Sequence, residues 1–266
     1  LQHPNIRRDL LEMKARVEGV RALIMKLSNH ADRLKATRGK DDESEAYHKG
    51  QIDLLTPLVK AYGTDAAFEV SSKAIQVHGG HGYLRDYPVE QYCRDSKIFQ
   101  IYEGTNFIQS MDLVSRKLGQ AGGANTQAFL TDIQTFINEN KETAELQTGI
   151  QHLQAAHEAV AASVMQFIGW SKGGKIEHIP LAAEAFLTIM SDLAVGWLLL
   201  DQASIALRKL PETSETHPDH AFYTGKEFAA KFFANNTLAT IPSRVQALMK
   251  VDTLPVDMPD EAFASI

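Results

Sequence analysis

Two short segments have residues suited to chemistry. The first is Gln76-Val77-His78-Gly79-Gly80-His81-Gly82-Tyr83. Glycine has no Cβ, so its main chain can approach a ligand and offer N–H groups to a pyrophosphate. The same residues also read as a helix stop followed by a glycine turn. With no Gly-Lys-Ser/Thr and no preceding strand, the segment matches neither common nucleotide-binding fingerprint. The second is RDSKIFQIYEGTN, residues 94–106, where Glu103 lies between Tyr102 and Gly104 at an expected helix break. A carboxylate beside Tyr102 and Ile101 is expected to be partly desolvated, a setting that suits a general base. Gly104 would let a substrate approach its main chain. An ordinary solvated loop glutamate is the competing reading.

Other chemistry is poorly supported. His152 and His157 are five apart, His217 and His220 three apart, and His78 and His81 sit in a glycine-rich stretch. None has the carboxylate pairing of a metal site, and no metal is expected. Cys93 is the only cysteine, so there is no intramolecular disulfide framework and no cysteine-cluster metal site. A single cysteine fits a reducing compartment. We expect a cytoplasmic location, although a targeting signal upstream of Leu1 would lie outside this sequence.

The elements that must position these segments are helical. From Pro4 to about Lys35, apolar residues recur every three or four positions, from Ile6 and Leu10 to Leu27 and Leu34. Pro4 suits a first helical turn. A second helix is expected from about Glu45 to Val77, with Pro57 inside it removing one ladder bond. The spacing predicts short helices over Val89–Ile101 and Phe107–Leu118, then longer ones over 126–140, 143–171, 177–209 and 219–249. No strand alternation persists, so the fold class is all-α, a helical bundle followed by a second one. Gly119–Asn125 (GQAGGAN) reads as a flexible linker between residues 1–118 and 126–252, and 253–266 as an irregular tail. Trp170, Trp197, Phe186, Phe228, Phe232 and Phe233 fall at helical spacing and are expected in the core.

Composition sets outer limits. The 266 residues carry 33 acidic and 27 basic side chains, a net charge of −6, and 44% are hydrophobic. Nucleic-acid binding needs a clustered excess of Lys and Arg, which is missing here, so no nucleic-acid partner is expected. No uncharged apolar run of about 18 residues appears, and no transmembrane segment is expected. The chain opens on Leu1 rather than Met, which suggests a fragment or a processed product.

QVHGGHGY followed by RDSKIFQIYEGTN closely resembles the C-terminal helical domain of the acyl-CoA dehydrogenase family. HPNIRRDLLEMKARVEGVRAL and LLTPLVKAYGTDAAFEVSSKAIQVHGG resemble it as well, so the likeness covers residues 3–118. The remaining residues resemble, in length and helical character, the extra C-terminal domain of a subgroup acting on 3-methylmercaptopropionyl-CoA.

The resemblance implies a mechanism. Glu103 would be the catalytic base, removing the pro-R α-proton of an acyl-CoA thioester while the β-hydrogen leaves as hydride to N5 of FAD. Gly104 would contact the substrate. Gln76, Val77, His78, Gly79 and Gly80 would match the loop that holds FAD across a subunit interface in a homodimer or tetramer. Thr105, Asn106 and Phe107 would lie against the flavin. Arg94 and Asp95 would form a structural ion pair. An electron-transferring flavoprotein would accept the electrons, whereas an acyl-CoA oxidase would use the same base and pass them to oxygen. The isolated chain, without the family's N-terminal helical and middle β domains, is expected to be inactive. A different class stays open: a helical oligomerisation module that keeps the fold without turnover.

Overall fold

The computed structural model describes residues 2–264, and all of its regular structure is helical, with no strand among the described residues. Leu1 and the last two residues of the expected tail lie outside the described residues. Helix α1 (Pro4–Thr37) and α2 (Asp42–His78) form a long antiparallel pair. Asp41 caps α2, its side chain accepting from Ser44 N at 3.0 Å, and three acidic residues in the first turn complement the helix dipole. Pro57 sits inside α2, which runs on through it.

A 3₁₀ turn, Gly79–Tyr83, ends α2. Helix α3 (Val89–Ser96) gives way to a 3₁₀ turn at Lys97–Gln100, earlier than the single helix expected to Ile101. The resumed helix also divides, into α4 (Asn106–Asp112) and a π-turn at Leu113–Lys117. The second half contains α5 (Ala124–Asn140), α6 (Gln147–Lys172), α7 (His178–Lys209), α8 (Pro218–Asn236) and α9 (Ile241–Lys250).

Two expectations need correction here. The helix over 219–249 is broken at Leu238–Thr240. Pro242, in the first turn of α9, cannot donate the N–H that a continuous helix would need. Leu238 is fully buried, packed where a Cβ on Gly196 would fall 2.5 Å from its Cδ2. The tail also contains two one-turn helices, α10 (Leu254–Asp257) and α11 (Asp260–Phe263).

The two halves share one core. Leu54, Leu58 and Leu113 belong to the same cluster as Phe186, Leu193 and Trp197. Gly19 of α1 lets Val195 of α7 approach so closely that an added Cβ would meet Cγ1 at 2.4 Å. The Gly119–Asn125 connection is pinned rather than free: Gln120 Nε2 donates to Asp53 Oδ2 at 3.0 Å, and Gln51 Nε2 to Asn125 O at 2.9 Å. Helix α7 is long and apolar enough to cross a membrane, but 83% of its most apolar window is buried inside the fold, where it is the central helix. Among the expected core aromatics, Trp170, Trp197, Phe186 and Phe233 are buried, whereas Phe232 is half-buried and Phe228 is 58% exposed, in a groove shared with Leu10 and Leu11 of α1.

One joint between helices is expected to respond to pH. His30 on α1 is buried, and its Nδ1 lies 3.0 Å from His48 Nδ1 on α2. Its Nε2 has no bonding partner. Next along α2, Tyr47 donates to Asp132 Oδ2 on α5 at 2.6 Å, and burial pushes that phenol up. Burial, then the charges of Lys26 and His48, push His30 down to about 4. The unfolded chain therefore binds more protons between that value and about 6.5, so acidification across this window destabilises the fold. We expect a loss of about 2 kcal/mol between pH 7 and pH 4, and His30→Phe should flatten that slope in thermal melts. An unchanged slope would assign the acid sensitivity elsewhere.

Candidate active site

The segment with the carboxylate is held at both ends. Ile101 N and Tyr102 N donate to Ile98 O at 2.9 and 3.2 Å, closing the last turn before it. Glu103 then takes φ +54° and Gly104 φ +83°, two left-handed residues in succession. For a non-glycine residue that conformation costs about 1–2 kcal/mol and is characteristic of functional sites. At Gly104 it is φ that favours glycine, since the one close neighbour of an added Cβ, Gln109 Nε2 at 2.7 Å, is the movable end of a flexible side chain. Thr105 restarts the helix as N-cap, its Oγ1 accepting from Ile108 N at 3.1 Å.

Beside this segment is a groove of about 430 Å³. Ile101, Thr105 and Phe107 line one side, and Leu187 and Thr188 of α7 the other. Glu103 is exposed, and so are its neighbours Ile101 (54%) and Tyr102 (49%). The expected desolvation is therefore not met within this chain, because these apolar neighbours face outward instead of closing over the carboxylate. They belong to a band of exposed apolar side chains, with Tyr83, Leu84, Tyr92, Ile98 and Phe107, concentrated between residues 83 and 108.

The glycine turn is built differently. Gly79 has φ +61° and ψ −145°, a conformation open essentially to glycine alone. Gly82 is required by packing, since a Cβ would fall 2.6 Å from Ile75 O. Above Gly79 and Gly80 there is open space, with nothing within 4 Å of an added Cβ. His78 Nδ1 donates to Ala74 O at 2.9 Å, so in its neutral form Nε2 is left as an outward acceptor. Gln76 is exposed and Val77 half-buried.

Thr105, Asn106 and Phe107 are thus brought together with Glu103 and Gly104, but the glycine turn is not. Asp65 borders the groove and His78 ends the same helix, thirteen residues on, which is about 20 Å along α2. Arg94 and Asp95 pair at 3.1 Å on the surface, where such a pair contributes at most about 1 kcal/mol. His157 Nε2 lies 3.0 Å from Leu130 O, and no group of three or more metal-ligating side chains occurs among the described residues.

Sequence reasoning missed Lys60, Asp65 and Gln100. Lys60 Nζ donates to Phe99 O at 3.0 Å and to Asn106 Oδ1 at 2.9 Å. Gln100 Nε2 and Asn106 Nδ2 donate to Asp65 Oδ1 at 2.8 and 2.7 Å. Burial pushes the Asp65 carboxyl up against these bonds, and desolvation pushes Lys60 down. The available signal was a polar cluster, Lys60, Thr64 and Asp65, within about a turn and a half of α2.

An all-helical fold with a strained glutamate at a helix break and an open glycine turn defines a class of helical carboxylate-bearing domain. The family model described as acyl-CoA dehydrogenase, C-terminal domain, matches residues 1–118, and that described as acetyl-CoA dehydrogenase C-terminal like matches residues 129–259. The chain belongs to the acyl-CoA dehydrogenase family, in its C-terminal helical portion. A butyryl-CoA dehydrogenase of Syntrophomonas wolfei is 33% identical over 263 residues, covering 99% of this chain and 42% of that protein. A 3-methylmercaptopropionyl-CoA dehydrogenase of Ruegeria pomeroyi is 34% identical over 239 residues, covering 90% of this chain and 39% of that protein. The chain thus spans about two fifths of the length of these curated relatives. An acyl-CoA dehydrogenase from Bacillus anthracis, solved in complex with FAD, has the same fold, with a TM-score of 0.71 at 17% identity over 99% of this chain and 44% of that one.

Proposed function

We propose that the protein to which this chain contributes is an FAD-dependent acyl-CoA dehydrogenase, oxidising an acyl-CoA thioester to the 2,3-enoyl-CoA. The observation that carries this reading is Glu103, held at φ +54° on a segment whose residues on either side, Ile101 and Thr105, line a groove. Glu103 takes the α-proton as general base, a role that requires a positioned carboxylate and no nucleophile. Gly104, next to the base, would meet the substrate with its main chain. Once bound, the flavin supplies the redox chemistry by accepting the β-hydrogen as hydride.

The residues present fit such a group. Gly79 and Gly80 leave their main chain open to a pyrophosphate, with Gln76, Val77 and His78 at the rim. Thr105, Phe107 and the main chain of Asn106 lie beside the base, where the ring of the cofactor would rest. The two groups are separated by more than the width of a flavin ring. That separation supports a homodimer or tetramer in which the turn of one subunit meets the cofactor beside the base of another. The exposed apolar band over residues 83–108 needs cover of this kind, and covering it would exclude water from Glu103. The chain alone offers half a site and is proposed to be inactive. An electron-transferring flavoprotein is the proposed acceptor.

The whole protein should purify with bound flavin. Anaerobic addition of a straight-chain acyl-CoA should bleach that flavin and yield the enoyl-CoA. Flavin that stays oxidised with saturating acyl-CoA of every chain length would overturn the reading. Gly79→Ala strains the turn by about 1–3 kcal/mol and should lower the flavin-to-protein ratio while Glu103 stays in place. A full complement of flavin in that variant would remove the turn from the cofactor site.

A further inference from the structure

We propose that Asn106 is a positioning residue that holds the strained base through its carboxamide, and that this side chain does not touch the cofactor. The proposal rests on the reading of Glu103 as the base. All the hydrogen-bonding capacity that matters on Asn106 is used inside the chain. Its Nδ2 donates to Asp65 Oδ1 at 2.7 Å and to Ala61 O at 3.4 Å. Its Oδ1 accepts from Lys60 Nζ at 2.9 Å, with Thr64 Oγ1 at 3.1 Å. The Lys60 ammonium fixes which end is oxygen, because a flipped amide would point NH2 at NH3⁺. No donor is left for a flavin, so any contact from residue 106 to the cofactor is through its main chain.

The same two α2 side chains also grip the other end of the segment. Lys60 bonds Phe99 O, and Asp65 accepts from Gln100 Nε2 at 2.8 Å. Residues 100 and 106 are therefore stapled to one stretch of α2, and Glu103 sits midway between them. A loop closed at both ends in this way can keep a glutamate left-handed. Released, it would relax and move the carboxylate. Misplacing a catalytic group by about 1 Å costs up to about 10²-fold in rate.

The test uses the whole flavin-loaded protein and reverses the polarity of one bond. Asn106→Asp sets two carboxylates against each other, whereas Asp65→Asn keeps an amide oxygen that can still accept from Asn106 Nδ2 and Gln100 Nε2. The double variant restores one donor, one acceptor and the original net charge. We expect Asn106→Asp to lower kcat and α-proton exchange by about 10–100-fold, with KM and flavin content held within a few-fold, and Asp65→Asn to stay within a few-fold of the parent in all of them. The double variant should recover most of that loss. The proposal is overturned by wild-type kcat in Asn106→Asp, by a kcat loss that merely follows flavin loss, or by a double variant no better than Asn106→Asp. If a single variant does not fold, the double variant alone decides: active supports the clamp, inactive overturns it. Glu103→Gln, assayed in parallel, keeps the two levels apart. Retained exchange in that variant would sink the base itself, whatever the clamp variants do.

Discussion

Glycine in place of Glu103 is expected to make the protein more stable and to abolish the dehydrogenation proposed for it. Among the described residues, Glu103 is one of three non-glycine residues with positive φ, beside Ala121 and Val251. Relieving the left-handed strain is worth about 1–2 kcal/mol, and the extra freedom of glycine in the unfolded chain returns part of that. The net gain should be about 0.5–1 kcal/mol, visible as a higher Tm. Turnover should fall by about 10²–10⁴-fold, the usual contribution of a positioned general base. Stability sacrificed at one residue for chemistry is a trade-off seen at many active sites. A variant that loses stability would show that the glutamate side chain is held by contacts absent from this chain.

The second large effect lies at the seam between the halves. Asp192 of α7 is 4% exposed, and Arg244 of α9 donates to its Oδ2 from Nη1 at 2.6 Å. Burial pushes the Asp192 carboxyl up, and Arg244, then Arg16 of α1, oppose that. Arg244→Met leaves a buried carboxylate without a partner, at a cost of about 3–5 kcal/mol. For a chain of this size each kcal/mol lowers Tm by about 2–4 °C. The orphaned carboxyl takes up a proton more readily folded than unfolded, so the deficit should grow as pH rises. Adding Asp192→Leu should recover most of the loss, since an apolar pair of similar volume avoids burying a charge. A melt of the single variant within about 1 kcal/mol of the parent would show that the pair is dispensable.

The helices were legible because apolar residues recur at helical spacing from Ile6 to Leu248. Their breaks were less so. Pro242 signalled the end of one helix and the start of another, but a single proline at a first turn also reads as a tolerated kink. Phe228 and Phe233 share a helix and a residue type, and only packing against α6 and α7 decides which faces the core. The GQAGGAN stretch looks flexible by composition, yet Gln120 and Asn125 are tied to α2 by partners about 70 residues away. Glu103 and its flanking residues were legible as a motif. The clamp was not, because Lys60 and Asp65 lie some 40 positions before Asn106, and no local pattern encodes that pairing.

The most direct test of the base is hydrogen exchange at the thioester α-carbon, with no turnover required. The whole protein, loaded with flavin and a CoA thioester in D₂O, should wash deuterium into that carbon, and Glu103→Gln should stop the exchange while keeping the flavin. Exchange that continues at the parent rate without the Glu103 carboxylate would contradict the account.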